Sequence, residues 1–358
     1  MASLREQIGQ MIMIGLKGEE LTAEERSLRR DYPFGGFILF SRNLKGPKQI
    51  LSLYRSLRQN NGELPPFVAI DQEGGRVHRL PPPFTHFPPA AALGRAGDAG
   101  LAARVGLAMA QELSAVGINL NFAPVLDVDS NPNNPVIGDR SLSSDPKEVT
   151  RLGWAIVRGL REGRVIPCVK HFPGHGDTAQ DSHLELPVVR KELEELKSVE
   201  IPPFAYACRH QVETLMTAHV LYPALDPSHP ATLSRPVIAD LLRGELGYEG
   251  VVFGDDLEMK AISKNYPLDE AARLSLLAGI DVLLFCHQTE QAVTAFDFLC
   301  REIERNPQLR ERVEESYQRI HKLKSRMLTA FSGAREEELE SFIGGCHREI
   351  VEQIQGSL

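Results

Sequence analysis

Lysine, histidine and aspartate residues are concentrated in one stretch of the chain, from Val165 to Pro187. It opens with apolar, partly β-branched residues that predict a buried strand ending at Lys170 and His171. A Gly-rich loop follows and carries Asp181 and His183. A Lys-His pair at the end of a buried strand requires polar neighbours. Titratable groups on a loop attached to a rigid strand indicate a site of chemistry.

The Asp181-Ser182-His183 triplet suits acid/base catalysis. Residues i and i+2 of an extended segment point the same way, so Asp181 can accept a hydrogen bond from His183. Such a bond sets the imidazole tautomer and raises its basicity, as proton transfer near neutral pH requires. In the alternative, Ser182 only caps a turn and His183 is solvated, but the nearby Lys170 and His171 favour the catalytic interpretation.

Two adjacent carboxylates, Asp255 and Asp256, follow the apolar run GVVFG. Alternation along a strand places them on opposite faces. A carboxylate at a strand end can act as a nucleophile, metal ligand or general base. We expect Asp255 to face a pocket, and Asp256 to be more structural and to cap a helix through LEMKAI.

Three further segments supply candidate binding residues. Asp71 follows the strand-like run FVAI and suits hydrogen bonding to a polyhydroxyl ligand. Arg140 carries a fork of donors for hydroxyl and carbonyl oxygens. Glu73 and Arg76 are open to a structural interpretation as an ion pair, which we favour for Arg76.

A metal centre is the competing interpretation of the central loop. Enough nitrogen and oxygen ligands are present in His171, His175, Asp177, Asp181 and His183. Against this, Lys170 would bring positive charge toward the cation, and no His-X-His pair ends an early strand. We therefore expect no metal and no other cofactor.

The strands that position these residues recur regularly. They are predicted at residues 11–16, 36–40, 67–71, 120–128, 165–171, 214–220, 251–255 and 280–286. Helical periodicity lies between most of them, at residues 47–58, 98–116, 146–161, 235–246, 268–278 and 289–305. This alternation predicts an α/β fold with a single (β/α)8 TIM-type barrel, and a doubly wound open sheet is the alternative.

Polar residues follow nearly every predicted strand, and in such barrels the carboxyl ends of the strands carry the catalytic groups. These residues are Arg42, Asn43, Asp71, Glu73, Asp127, Lys170, His171, His219, Asp255 and Asp256. Two proline-rich connections, 80–94 and 129–146, leave from the same ends and are expected to wall the pocket. We expect a barrel at 1–330 and a C-terminal helical extension at 331–358 packed on its outside.

Composition limits the class of protein. The 358 residues carry a net charge of −8, which argues against a general nucleic-acid binder. The five cysteines match neither a disulfide framework nor a zinc spacing. The N-terminal apolar run is too short for a membrane span and lacks signal-peptide features. We expect a cytoplasmic protein without membrane or nucleic-acid partners.

Seven segments together resemble glycoside hydrolase family 3 β-N-acetylhexosaminidases of the bacterial NagZ type. They are GGFILFSRN (35–43), IDQEGGRV (70–77), NFAPVLDV (121–128), NPVIGDRS (134–141), KHFPGHGDTAQDSH (170–183), MTAHV (216–220) and GVVFGDDLEM (250–259). The resemblance implies one barrel, no metal, a monomer and retaining hydrolysis of terminal β-linked N-acetylglucosamine. For a cytoplasmic enzyme, it implies release of this sugar from anhydro-muropeptides during peptidoglycan recycling.

The resemblance also implies residue roles. Asp255 matches the nucleophile, and Asp181 with His183 matches the acid/base dyad. The residues that hold the sugar hydroxyls are matched by Asp71, Arg140, Lys170 and His171. Asp127 and His219 are expected to line the pocket or lie just behind it. Gly254 departs from the family, where Ser or Thr is usual, and the missing hydroxyl can change hydrogen bonding beside the nucleophile.

Three alternative functions stay open. A neutral imidazole repels an incoming anion less than a carboxylate would, so phosphate can replace water in a β-N-acetylglucosaminide phosphorylase that uses the same residues. A non-catalytic sugar-binding barrel predicts loss of Asp255 or His183, and both are present. A metal-dependent barrel hydrolase predicts an activity that a chelator abolishes.

Overall fold

Eight parallel strands close into a barrel in which neighbours in the sheet are also neighbours in the chain. The computed structural model describes residues 2–59, 64–182, 184–345 and 347–357. The strands are β1 (Ile12–Gly15), β2 (Gly36–Leu39), β3 (Phe67–Ile70), β4 (Leu120–Asn121), β5 (Ile166–Phe172), β6 (Thr214–Thr217), β7 (Val251–Asp256) and β8 (Val282–Phe285). Pairing of β1 with β8 closes the sheet, which confirms the predicted barrel and excludes the open sheet.

Helices surround the barrel and include all six that periodicity predicts. They are α1 (Leu4–Gln10), α2 (Ala23–Asp31), α3 (Pro47–Arg58), α4 (Ala90–Ala96), α5 (Ala99–Ala115), α6 (Pro146–Glu162), α7 (Leu193–Ser198), α8 (Ile201–Arg209), a π-helix (Pro236–Glu245), α9 (Lys260–Ser263), α10 (Leu268–Ala278), α11 (Thr289–Ile303), α12 (Pro307–Met327), α13 (Leu339–Phe342) and α14 (Arg348–Gly356). The prediction missed the short α1, α2 and α4. It also missed α12, whose apolar stripe is narrow on a charged helix.

Local signals explain where several helices begin. Thr22 forms a capping box with Glu25 at the start of α2. Asp145 accepts a hydrogen bond from the N–H of Lys147 at the start of α6, and Pro146 occupies the first helical position. These contacts satisfy backbone donors that a helix leaves unpaired at its N-terminus.

Aromatic side chains fill the barrel interior below the candidate site. The Phe253 ring packs edge-to-face against Phe67 and Phe122, with centroids 5.8 and 5.5 Å apart. Burying such a side chain stabilises the fold by roughly 1.5–3 kcal/mol. Asp255 lies two residues beyond Phe253 on the same strand face, so packing of Phe253 places Asp255 at the upper rim of the barrel.

The segment beyond residue 330 lies against the outer helices. Leu339, Ile343 and Ile354 are buried, and the Arg104 guanidinium on α5 donates to the Gln353 side-chain oxygen at 2.7 Å. The domain boundary at residue 330 stays a prediction. In the described part of the chain, no helix is both long and apolar enough to cross a bilayer.

Candidate active site

A cavity of about 420 Å³ opens at the carboxyl ends of the strands. The cavity is lined by every described residue to which we assigned a catalytic or sugar-binding role: Asp71, Arg140, Lys170, His171, Asp181 and Asp255. Four other residues that follow strands do not line it: Arg42, Asn43, Asp127 and His219. His183 lies outside the described residues. Groups that are far apart in the chain therefore share one concave site, as the polar strand ends predict.

Glu73 is the centre of an ion-pair network on one wall of the cavity. Its carboxylate binds Arg140 in a bidentate manner, with both N–O distances 2.8 Å. Lys170 Nζ lies 2.6 Å from Glu73 Oε1 and 2.7 Å from Asp71 Oδ1. Two cations and two carboxylates thus alternate, and the Lys170 side chain is only 2% exposed. Charge-assisted bonds of this kind are short and geometrically specific.

The network keeps its charges despite burial. Burial alone would raise the pKa of Glu73, but Arg140 and Lys170 outweigh it and hold that pKa well below its ordinary value. Burial disfavours the charged form of Lys170, yet Asp71 and Glu73 raise its pKa. The wall therefore presents fixed, ionised groups to a ligand.

Arg140 retains donors for a ligand. Its Nε and one Nη2 hydrogen bind Glu73, and one Nη1 hydrogen binds the Val136 carbonyl oxygen. A guanidinium has five N–H donors, so two are left beside the cavity. Its position agrees with the expected contact to sugar hydroxyls, which stays a prediction.

Asp127 lies behind the cavity and orients His171. Its Oδ2 accepts a hydrogen bond from His171 Nδ1 at 2.7 Å, and its Oδ1 accepts from the backbone N–H groups of His171 and His175 at 3.1 and 2.7 Å. Burial would raise the pKa of Asp127, but His171 and His175 lower it. Because the carboxylate only accepts, Nδ1 of His171 carries the proton, and Nε2 is the ring nitrogen available to a ligand.

Asp255 is held through the residue that follows it. Asp255 Oδ1 accepts a hydrogen bond from the Asp256 N–H at 2.8 Å. His219, fully buried behind the strand end, donates from Nε2 to the Asp256 carbonyl oxygen at 3.0 Å. Thr232 Oγ1 lies 2.8 Å from the other ring nitrogen of His219. His219 therefore supports the strand end from behind rather than contacting a ligand.

The expectation that Asp256 caps a helix is wrong. Helix α9 begins only at Lys260, and the Asp256 side chain instead accepts from the N–H groups of Glu258 and Cys286 at 3.1 and 3.3 Å. Asp256 also lines the cavity. Burial, together with the nearby Glu258, raises its pKa to about 7, so its carboxyl is protonated more readily than an ordinary aspartate.

Gly254 does not line the cavity. A Cβ atom at this position would lie 3.2 Å from Thr232 Cγ2 and 3.6 Å from Ile280 Cγ2, between the strand and the outer layer. A side chain there would begin beside Thr232, whose hydroxyl contacts His219. The departure from the family at Gly254 thus lies outside the cavity lining, on the side of the strand that faces Thr232.

The two proline-rich connections differ from expectation. Residues 129–146 do wall the cavity, through Pro135, Val136 and Arg140. Residues 80–94, all of them described, contribute nothing to its lining, so that expectation is wrong. This segment packs behind the Gly74-Gly75 turn instead, where the Gly75 N–H donates to the Phe87 carbonyl oxygen at 2.8 Å. Gly75 has φ +54°, which an L side chain rarely adopts.

Sequence reasoning missed Glu73 as the network centre and Arg79 as a site residue. Arg76 forms the expected ion pair, but its partner is Asp139 at 3.0 Å rather than Glu73. Arg79 lines the cavity, forms no ion pair with any described residue, and lies 6.0 Å from the Phe40 ring centroid. Its Nε is buried and has no hydrogen-bond partner among the described residues. The sequence signal that could have indicated Arg79 as a site residue was its position just after the GGRV segment.

Within the described residues, no three His, Cys, Asp or Glu side chains are grouped so as to hold a metal ion. His183, one of the candidate ligands, lies outside that set. Two of the described ligand candidates form ion pairs instead: His171 with Asp127, and Asp177 with Lys191 at 3.3 Å.

Comparison with known proteins assigns the family. The model of the glycosyl hydrolase family 3 N-terminal domain matches residues 3–323. The chain belongs to glycosyl hydrolase family 3. The predicted family and enzyme class, a glycoside hydrolase, are therefore confirmed.

Relatives and solved structures agree. The chain is 42% identical to a beta-hexosaminidase of Alkalilimnicola ehrlichii over 285 residues, 78% of this chain and 81% of the relative. The fold matches a family 3 beta-N-acetylglucosaminidase from Paenibacillus with TM-score 0.91 and 42% identity, covering 100% of this chain and 69% of that one. It also matches NagZ from Neisseria gonorrhoeae in complex with N-trifluoroacetyl-D-glucosamine, with TM-score 0.76, 32% identity and coverage of 96% and 98%.

Proposed function

We propose that this protein is a retaining exo-β-N-acetylglucosaminidase that removes terminal β-linked N-acetylglucosamine. One observation carries the proposal: Asp255, the Asp181 loop and the Glu73 network face the same cavity. The beta-hexosaminidase relatives and the N-trifluoroacetyl-D-glucosamine complex of a neighbour support the choice of sugar.

In the first step, Asp255 attacks the anomeric carbon through an oxocarbenium-like transition state and forms a covalent glycosyl intermediate. His183, oriented by Asp181, protonates the leaving oxygen. In the second step, His183 removes a proton from water, which displaces Asp255 and retains the anomeric configuration. This mechanism needs the acid/base group and the nucleophile to lie close together, and Asp181 and Asp255 line the same cavity.

The wall around Glu73 holds the sugar in this mechanism. Asp71 accepts from ring hydroxyls, Arg140 and Lys170 donate to them or orient Asp71, and Nε2 of His171 accepts from a further hydroxyl. Arg79 adds a guanidinium that no described side chain neutralises. Because the ionic groups are already ordered, binding costs little reorganisation and favours the reactive orientation.

The natural substrate that we propose is an anhydro-muropeptide with terminal N-acetylglucosamine, cleaved in the cytoplasm by a monomer during peptidoglycan recycling. Muropeptides carry carboxylates. Lys260 and Arg79 line the cavity and form no ion pairs with described residues, so the lining contains cations suited to an anionic leaving group.

Turnover of 4-nitrophenyl β-N-acetylglucosaminide tests the proposal, with and without EDTA and with and without inorganic phosphate. We expect rapid release that EDTA does not change. Formation of sugar 1-phosphate would identify a phosphorylase, which His183 in place of a carboxylic acid favours. Inhibition by EDTA would favour a metal-dependent hydrolase, and no release from folded protein would contradict the sugar assignment.

A further inference from the structure

Ser182 lies between Asp181 and His183 in the chain and is held on two sides. Its Oγ lies 3.2 Å from Nε2 of His175. Its carbonyl oxygen accepts a hydrogen bond from the Ala261 N–H, also at 3.2 Å. Although Ser182 belongs to a loop, it is only 3% exposed. A loop residue so enclosed has little freedom to move independently.

His175 is itself firmly anchored. Its backbone N–H donates to Asp127 at 2.7 Å, and its Nδ1 lies 2.9 Å from Thr178 Oγ1. The Asn134 amide donates to its carbonyl oxygen at 2.8 Å. Burial and the neighbouring His171 lower the pKa of His175 to about 4. The ring therefore stays neutral where a catalytic histidine titrates, so this support does not change charge during turnover.

Ala261 connects Ser182 to the other catalytic group. It lies in α9, the first helix after Asp255. The Ser182–Ala261 hydrogen bond therefore joins the loop of Asp181 to the connection that follows the nucleophile. Retaining glycosidases need their two catalytic groups at a defined separation, about 5–5.5 Å for carboxylates. Misplacement by about 1 Å can cost 100-fold in rate.

We propose that Ser182 is a positioning residue that, held by His175 and Ala261, sets the distance between the acid/base loop and Asp255. It acts through the loop and transfers no proton itself. The inference rests on the proposed function, because it requires His183 to protonate the leaving group that departs as Asp255 attacks.

The experiment compares a poor leaving group, methyl β-N-acetylglucosaminide, with an activated one, the 2,4-dinitrophenyl glycoside. Ser182→Ala should lower kcat for the methyl glycoside by about 10- to 100-fold, and for the dinitrophenyl glycoside by less than about three-fold, because the latter needs little protonation. Ser182→Thr keeps the hydroxyl, so the ratio between the two rates should return most of the way to that of the unsubstituted enzyme.

Two further variants separate positioning from a merely structural role. Ser234→Ala removes another buried serine hydroxyl, one that lies away from the cavity. This hydroxyl donates to Asp226 Oδ2 at 2.7 Å. Ser234→Ala should lower Tm without changing the ratio of the kcat values for the two glycosides. In His175→Asn the asparagine side chain is too short to reach Ser182. This variant should therefore change the ratio of the two rates as Ser182→Ala does. The double variant should be no worse than the worse single variant, because both remove the same contact.

Equal slowing of both substrates by Ser182→Ala, or additive losses in the double variant, would overturn the positioning role. His183→Ala, measured alongside, identifies which hypothesis fails. If His183→Ala changes the ratio and Ser182→Ala does not, only the role of Ser182 is wrong. If His183→Ala slows both substrates equally, the acid/base assignment fails and the inference fails with it.

Discussion

The two ends of the barrel each bury a cluster of charges. The clusters differ in how many of their hydrogen-bonding groups already have partners within the protein. At the carboxyl end, the Glu73 network lies beside the cavity, and Arg140 retains two donors. At the amino end, the single carboxylate of Asp281 is surrounded by donors: Arg243, Arg312, Arg319, Ser316 and the N–H of Val252.

The amino-end cluster is closed by α12, which supplies Arg312, Ser316 and Arg319. The same helix buries Lys324, whose Nζ donates to Gln10 Oε1 and the Gly35 carbonyl oxygen, both at 2.6 Å. Similar ion pairs thus line the candidate site at one end and fasten a helix at the other. In (β/α)8 barrels, function lies at the carboxyl ends of the strands and stability at the amino ends.

The largest effect should come from Asp255→Ala. Without a nucleophile, turnover should fall by roughly three orders of magnitude or more, while Tm changes little because Asp255 is partly exposed. Steady-state rates and thermal unfolding measure both. Substantial remaining activity would point to Asp256 or to assistance by the substrate acetamido group.

His183→Ala should slow substrates with poor leaving groups by about 10²- to 10⁴-fold and an activated aryl glycoside far less. A plot of log kcat against leaving-group pKa should become steeper, because the variant cannot donate a proton to the departing oxygen. A slope equal to that of the unsubstituted enzyme would show that His183 is not the leaving-group acid.

Glu73→Gln should damage both stability and activity. It leaves Arg140 and Lys170 without a shared carboxylate, and breaking a buried ion pair costs about 3–5 kcal/mol of unfolding free energy. The loss of orientation should also raise KM. Urea unfolding and kinetics on the same preparation measure the two effects. A stable variant with normal KM would contradict the binding role of this wall.

Asp281→Asn is the matched substitution at the amino end. It should cost a similar 3–5 kcal/mol, because three guanidinium groups lose their common partner. The kcat/KM of the folded fraction should stay within about two-fold of the unsubstituted value. A large loss of kcat/KM in Asp281→Asn, together with a normal KM in Glu73→Gln, would reverse the assignment of the two ends.

The smallest effect concerns pH. Burial raises the pKa of Asp256 and of Glu112 to about 7. The folded protein then binds more protons than the unfolded chain between about pH 4 and 7, so stability from these groups is present at low pH and is lost as pH rises through 7.

Asp256→Asn and Glu112→Gln should each flatten this decline in unfolding free energy. Only Asp256→Asn should also change the pH profile of kcat, because Asp256 lines the cavity whereas Glu112 does not and accepts a hydrogen bond from Thr85. Unfolding titrations at pH 5 and 8 and the kcat profile test the contrast. Identical pH profiles for both variants would exclude a role for Asp256 in turnover.

The positions of the strands were readable from the sequence because buried parallel strands are short apolar runs that end in polar residues. All eight were predicted, and so were Asp71, Lys170 and Asp255 at their ends. The pairing of Glu73 was not readable, since Arg76 is its neighbour in sequence and Arg140 is its neighbour only in space. The role of residues 80–94 was mistaken because proline content does not reveal which side of a turn a segment covers.

The sequence by itself determined the barrel, the family and the residue types gathered at the strand ends, because local periodicity and contiguous motifs encode them. Only the tertiary structure decided which charges meet. Arg140 joins Glu73, Asp127 holds His171 and His175, and Ser182 links the Asp181 loop to α9. These contacts join segments brought together by barrel closure, and no local pattern specifies the partner that a side chain will reach.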